Sequence, residues 1–176
     1  PCPTAAGSAL RMGPMFSRSR PPADAPSWFT GALSNKPEKV RIEVDGCRIH
    51  LRVWGSADKP PLVLVHGGGA HSGWWDHIAP FFSATHRVIA PDLSGHGDSG
   101  TRAGYSLRQW AQEVMAAAAA VSSGYPTIVG HSLGGWVTAS AATHHGDGIN
   151  SILVIDSPLR ERAPEERILQ GRSTSP

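Results

Sequence analysis

The sequence predicts an α/β fold, with a mostly parallel sheet, an amino-terminal antiparallel hairpin and helices on both faces. Three observations predict it. "KVRIEV" and "CRIHLRVW" alternate apolar and polar residues around Asp45-Gly46, a dipeptide that accepts positive φ at a tight hairpin turn. Four later runs, "PLVLV" (61–65), "RVIAPD" (87–92), "TIVG" (127–130) and "SILVID" (151–156), are continuously apolar, as strands covered on both faces are. Helical patterns lie between those runs, so successive parallel strands are joined by crossovers.

The elements follow in order. Residues 1–37 hold seven of the 15 prolines, with Arg11, Arg18, Arg20 and Lys36 against one acid, Asp24, and no apolar periodicity, so a disordered leader is expected. The chain opens on proline, and Met12 or Met15 are alternative starts. The core is expected over 38–158. A short helix is expected over 74–82. In "YSLRQWAQEVMAAAAAV", Leu107, Trp110, Ala111, Val114, Met115 and Ala118 fall on one helical face, and Ser106 with Gln109 forms a capping-box pattern. Another helix should run from Leu133 to about Thr143. No internal repeat is present.

The bulk properties exclude several function classes. With 176 residues the chain is one domain's worth. A net charge of +2 with scattered basic residues does not suggest a surface that tracks nucleic-acid phosphates. Cys2 and Cys47 fit neither a metal site nor a disulfide framework, so no metal and no cofactor is expected. No run approaches a membrane span and no secretory signal is evident, which points to the cytoplasm. The partner expected is a small-molecule substrate; the oligomeric state is left open.

The chemistry is concentrated at the ends of the apolar runs. In Gly130-His131-Ser132-Leu133-Gly134 the serine must turn from strand to helix within a residue or two, and glycines on either side leave the backbone room. Its hydroxyl then stands beside a helix N-terminus, whose free N–H groups favour developing negative charge. After the strand at 61–65, Gly67, Gly68 and Gly69 of "LVHGGG" can aim backbone N–H groups into the same crevice. Gly68 and Leu133 are the expected oxyanion donors, and a bulky side chain at Gly68 is expected not to fit. A phosphate loop fits poorly, because neither the dinucleotide fingerprint nor the Gly-Lys-Ser/Thr loop is present.

"HGGG" (66–69), "PDLSGHGDS" (91–99) and "VGHSLGGW" (129–136), in this order and at these distances, resemble the α/β-hydrolase fold family over about residues 39–158. The resemblance implies Ser132 as nucleophile, an oxyanion hole from Gly68 and Leu133, and the loop from Asp92 to Ser99 bordering the crevice. A serine there is more similar to esterases, lipases, carbon–carbon bond hydrolases and perhydrolases than to the epoxide and haloalkane branches, whose nucleophile is aspartate. Gly67, Gly69, Trp74, Trp75 and His131 are expected to line the substrate crevice. For Trp74 and Trp75, helix-to-sheet packing is the alternative.

The family places its acid and then its histidine after the serine. Only His144 and His145 follow Ser132, about 18 Å away along a helix, so the catalytic base is expected to be absent from the chain. His66, His71 and His96 are expected to orient loops or sit at the surface, with lining of the crevice as the alternative, and His50, His77 and His86 to have no chemical role. Asp156 ends the strand at 151–156, where two roles are open: triad acid, or loop cap and lid anchor. Asp92 and Asp98 are expected to hydrogen-bond backbone in their glycine-rich loop. Residues 159–176, charged and proline-containing, match the start of the family's lid. The sequence therefore reads as a serine hydrolase lacking its carboxyl-terminal strands and lid and inactive alone, or alternatively as a non-catalytic ligand-binding protein on the same fold.

Overall fold

A computed structural model describes residues 24–158. One sheet is built from β1 (Glu38–Val44), β2 (Cys47–Trp54), β3 (Pro61–Val65), β4 (Arg87–Pro91), β5 (Thr127–His131) and β6 (Ser151–Ile155). Its spatial order is β1-β2-β4-β3-β5-β6. The hairpin forms as expected, with Asp45 and Gly46 at φ 47° and 69° and Val44 opposite Cys47. β2 joins β4 antiparallel, and β4, β3, β5 and β6 run parallel.

The apolar runs are continuous because two cores share the strands. On one face, Val63 and Val65 of β3 and Ile49, Leu51 and Val53 of β2 pack against α3 (Leu107–Val121) and α4 (Leu133–His145). On the other face, Leu62 and Leu64 meet Trp54, Trp75, Ala79 and Val88. Complete burial of each such side chain stabilises by about 1.5–3 kcal/mol, which makes these strands the best-anchored part of the chain. The cap on α3 is as the sequence implies: Ser106 Oγ accepts the N–H of Gln109 at 3.2 Å.

Two expectations change. The leader is not disordered throughout, because Ser27–Ser34 form a helix, α1. This window is free of proline, Pro26 sets its start, Ala32 is buried, and the Trp54 indole donates to the carbonyl of Asn35 at its end. The proline-rich average over 1–37 hid it. Residues 1–23 and the lid expected over 159–176 lie outside the described residues. The single helix expected over 74–82 is instead a 3₁₀ turn, Ser72–Trp75, followed by α2 (Ala79–Phe82). Pro80 has no N–H to give to a preceding turn, so the helix restarts with proline in its first turn.

β6 is an edge strand, paired in the sheet among the described residues only with β5. Leu153 and Ile155 alternate onto one face and remain 55% and 40% exposed. Exposed apolar side chains on an unpaired edge template intermolecular pairing. The 176-residue chain is therefore expected to elute in size-exclusion chromatography as concentration-dependent oligomers, and Leu153→Lys to shift it towards monomer. A monodisperse wild-type monomer at all concentrations would contradict this.

Candidate active site

Four strand ends meet at the carboxyl edge of the sheet: β3, β4 and β5 each carry one of the three motifs, and β6 ends at Asp156. β5 runs into α4 through Ser132, at φ 53° and ψ −116°, a region that side-chain-bearing residues rarely occupy. A Cβ on Gly130 would collide with the carbonyl of Gly134 and the hydroxyl of Thr138, and one on Gly134 would collide with the carbonyl of Val65 and come within 2.7 Å of that of His66. Only glycine allows α4 to start this close to β3. The turn is pinned from β6: the N–H of Ser132 donates to the Ile155 carbonyl at 2.9 Å, and the Ser157 hydroxyl donates to the Ser132 carbonyl at 2.7 Å.

The glycine loop after β3 lies against this turn. A Cβ on Gly67 would stand 3.3 Å from Ser132 Cβ and 3.1 Å from His131 Nδ1, and one on Gly68 would stand 3.6 Å from Leu133 Cδ2. The Gly68 backbone and the first residue of α4 are thus neighbours, and the N–H of Leu133 has no partner within its helix. At Gly68 a Cβ alone meets only ordinary contacts, both with the Leu133 side chain. The glycine requirement falls on Gly69, at φ 70°, and on the tighter site at Gly67.

The two tryptophans separate. Trp74 is 37% exposed and stacks on His131, with ring centroids 6.1 Å apart and planes 12° apart. Trp75, expected at the crevice, is 5% exposed within the core of Trp54, Leu64 and Val88. The 3₁₀ turn points adjacent side chains in different directions, so only one can face the crevice. Asp156, at φ 50°, has an exposed carboxylate 4.0 Å from His131 Nε2.

Behind the crevice lies a polar layer that the sequence shows only as separate residues. The buried Asp92 carboxylate accepts the Ser72 N–H at 2.6 Å and the Asp98 N–H at 2.8 Å, and faces His50 Nδ1 at 3.1 Å. Burial would raise its pKa, but hydrogen bonds from His50, Asp98 and Ser72 outweigh that and hold the carboxyl well below the usual range. Glu113, fully buried on α3, accepts the N–H of Ser94 at 2.8 Å and Arg102 Nε at 3.0 Å. Glu113 and Ser157 went unnoticed in sequence; Glu113 interrupts the apolar face of α3, whereas nothing local marks Ser157.

The histidines divide by role. His66 is buried; its Nε2 accepts the Leu93 N–H at 3.2 Å, so Nδ1 carries the proton and donates to the Gly67 carbonyl at 2.8 Å. It ties the loop after β3 to the loop after β4. His71 Nδ1 accepts the Gly73 N–H, and His96 packs 5.0 Å from the His66 ring, with burial lowering its pKa. His144 and His145 end α4. Among the described residues, no histidine hydrogen-bonds the Ser132 hydroxyl.

Burial pushes the His66 imidazole down from 6.5 to about 4. Its neutral form therefore contributes stability that is fully present above pH 6.5 and is lost as pH falls through the window down to about 4. That difference corresponds to about 3 kcal/mol. Urea midpoints measured across this window should fall less steeply for His66→Gln than for the wild type. Parallel profiles would refute the assignment.

The comparisons agree with this architecture. The family model described as "Alpha/beta hydrolase family" matches residues 62–175. The pimeloyl-[acyl-carrier protein] methyl ester esterase of Vibrio atlanticus is 33% identical over 114 residues, 65% of this chain and 43% of that protein. Among solved structures, the thioesterase domain from the curacin biosynthetic pathway superposes with TM-score 0.66 and 27% identity, over 76% of this chain and 51% of that one. Epoxide hydrolase A from Mycobacterium thermoresistibile gives TM-score 0.68 and 25% identity, over 74% and 43%. The chain spans about half or less of the length of these proteins. With the strand order, the turn at Ser132 and the family match in agreement, the chain belongs to the alpha/beta hydrolase family.

Proposed function

We propose that this chain supplies the nucleophile and oxyanion half of a serine hydrolase that acts by acyl transfer on an ester-like small molecule. One observation carries the reading: Ser132 is held at φ 53° at the start of α4, with Gly67 against it and Gly68 against Leu133. In this reading Ser132 Oγ attacks the substrate carbonyl carbon, and the carbon–oxygen double bond becomes a single bond to an oxyanion. The N–H groups of Gly68 and Leu133 receive that charge, each such donor contributing about 3–4 kcal/mol to the transition state. Collapse of the intermediate expels the leaving group and leaves an acyl-serine, which water hydrolyses.

Similarity to an esterase and a thioesterase domain supports the ester-like class. A serine rather than an aspartate at position 132 supports it over epoxide opening. Gly67, Gly69, Trp74 and His131 form the nearest walls, and the Asp156 carboxylate is the acid best placed at the end of β6. The proton from Ser132 needs a base, and no described histidine is bonded to it. The activity therefore belongs to a longer protein spanning the length of the relatives, in which a histidine completes the unit.

Two outcomes are expected. A gene product that extends this frame to the relatives' length should be labelled by a fluorophosphonate at Ser132, and Ser132→Ala should abolish the labelling; labelling that persists at another residue would refute the nucleophile. The 176-residue chain alone should hydrolyse a p-nitrophenyl ester near background, because removing one member of such a unit costs on the order of 10⁶ in turnover. Ser132-dependent turnover by the short chain would mean that a described histidine reaches the nucleophile. A Ser132-independent extended protein that still binds ester ligands would favour the binding-protein reading.

A further inference from the structure

Ser157 follows Asp156 at the end of β6, 25 residues after the nucleophile turn, yet its hydroxyl reaches back to that turn. It donates to the Ser132 carbonyl at 2.7 Å, with the Ile155 carbonyl as a farther acceptor at 3.1 Å. The same Ser132 carbonyl accepts the N–H of Gly135 at 2.9 Å. A carbonyl oxygen has two lone pairs, and here both are occupied. The hydroxyl sits in a notch that only glycine leaves open. A Cβ on Gly135 would collide with Ser157 Oγ and come within 2.8 Å of Ser157 Cβ and 2.9 Å of Val154 Cγ1.

The Ser132 carbonyl and the Leu133 N–H belong to one peptide unit. That unit is planar and trans, so its N–H points away from its carbonyl. Holding the oxygen with two donors therefore fixes the direction of the N–H on the other side. The plane cannot tilt without breaking both bonds. Donors on a carbonyl also polarise the amide and strengthen its N–H as a donor. The Leu133 N–H stands at the start of α4, where it has no helical partner to hold it instead.

We propose that Ser157 is a positioning residue for the oxyanion hole: its hydroxyl acts through the Ser132–Leu133 peptide and aims the Leu133 N–H at the substrate oxygen. This rests on the reading of Ser132 as nucleophile and of the Leu133 N–H as an oxyanion donor. Full negative charge reaches that oxygen only as the tetrahedral intermediate forms. A misaimed N–H therefore costs turnover and leaves substrate binding as it was. A residue that merely fastened β6 to α4 would show its loss in stability instead.

The test uses the gene product that extends this frame to the relatives' length, with p-nitrophenyl acetate as substrate. Ser157→Ala should lower kcat about tenfold, the size of one hydrogen bond, with KM unchanged. Ser157→Thr and Ser157→Val have the same shape, so comparing them reads the hydroxyl alone. The threonine variant should stay near wild type and the valine variant should match Ser157→Ala. Phenylboronic acid, whose adduct with Ser132 Oγ is a tetrahedral anion, should bind less tightly to Ser157→Ala and Ser157→Val in the same proportion. Equal kcat for Ser157→Val and Ser157→Thr would overturn the proposal. So would a loss in Ser157→Ala that falls on KM, or one that tracks a lower melting temperature and is not rescued by threonine. Fluorophosphonate labelling separates this from the parent reading. Labelling that persists in Ser132→Ala defeats the nucleophile; labelling abolished there, with valine and threonine variants turning over alike, defeats only the role of Ser157.

Discussion

A serine held with positive φ between a strand and a helix is the constraint on which the rest of this structure turns. Such a residue costs on the order of 1–3 kcal/mol and persists only where its surroundings over-determine it. Here they do: β6 accepts the Ser132 N–H, Ser157 and the N–H of Gly135 both occupy its carbonyl, and Gly130 and Gly134 let α4 start in contact with the carbonyl end of β3. Residues distant in sequence are thus placed at one point. The hydroxyl is presented at the sheet edge by backbone geometry, not by a flexible loop.

The loops opposite Ser132 are held with equal care by buried polar groups. Asp92 joins the 3₁₀ turn, the loop after β4 and β2, and His66 joins the glycine loop to the chain after β4. Glu113 and Arg102 then fasten that same loop to α3 and to the hairpin, where Arg102 donates to the carbonyls of Val44 and Asp45. Removing one partner from such a pair leaves a buried charge uncompensated, which is costlier than the pair is stabilising. The crevice is therefore rigid on its loop side, while its β6 side, with exposed Leu153, Ile155 and Asp156, is lightly covered.

The sequence alone determined the strands, the hairpin, the two long helices and the serine turn. Each depends on local rules: alternation or continuity of apolar residues, positive φ at Asp45-Gly46, a serine cap at the start of α3, and glycines around Ser132. Where local rules were averaged or ignored, the reading failed, as at α1 inside a proline-rich stretch and at Pro80 inside an expected helix. Only the tertiary structure decided which of Trp74 and Trp75 faces the crevice, that Gly67 is more confined than Gly68, and that Asp92, Glu113 and Ser157 hold the site together. Those outcomes depend on contacts between residues far apart in the chain, and no local pattern encodes the direction in which a side chain leaves a short turn.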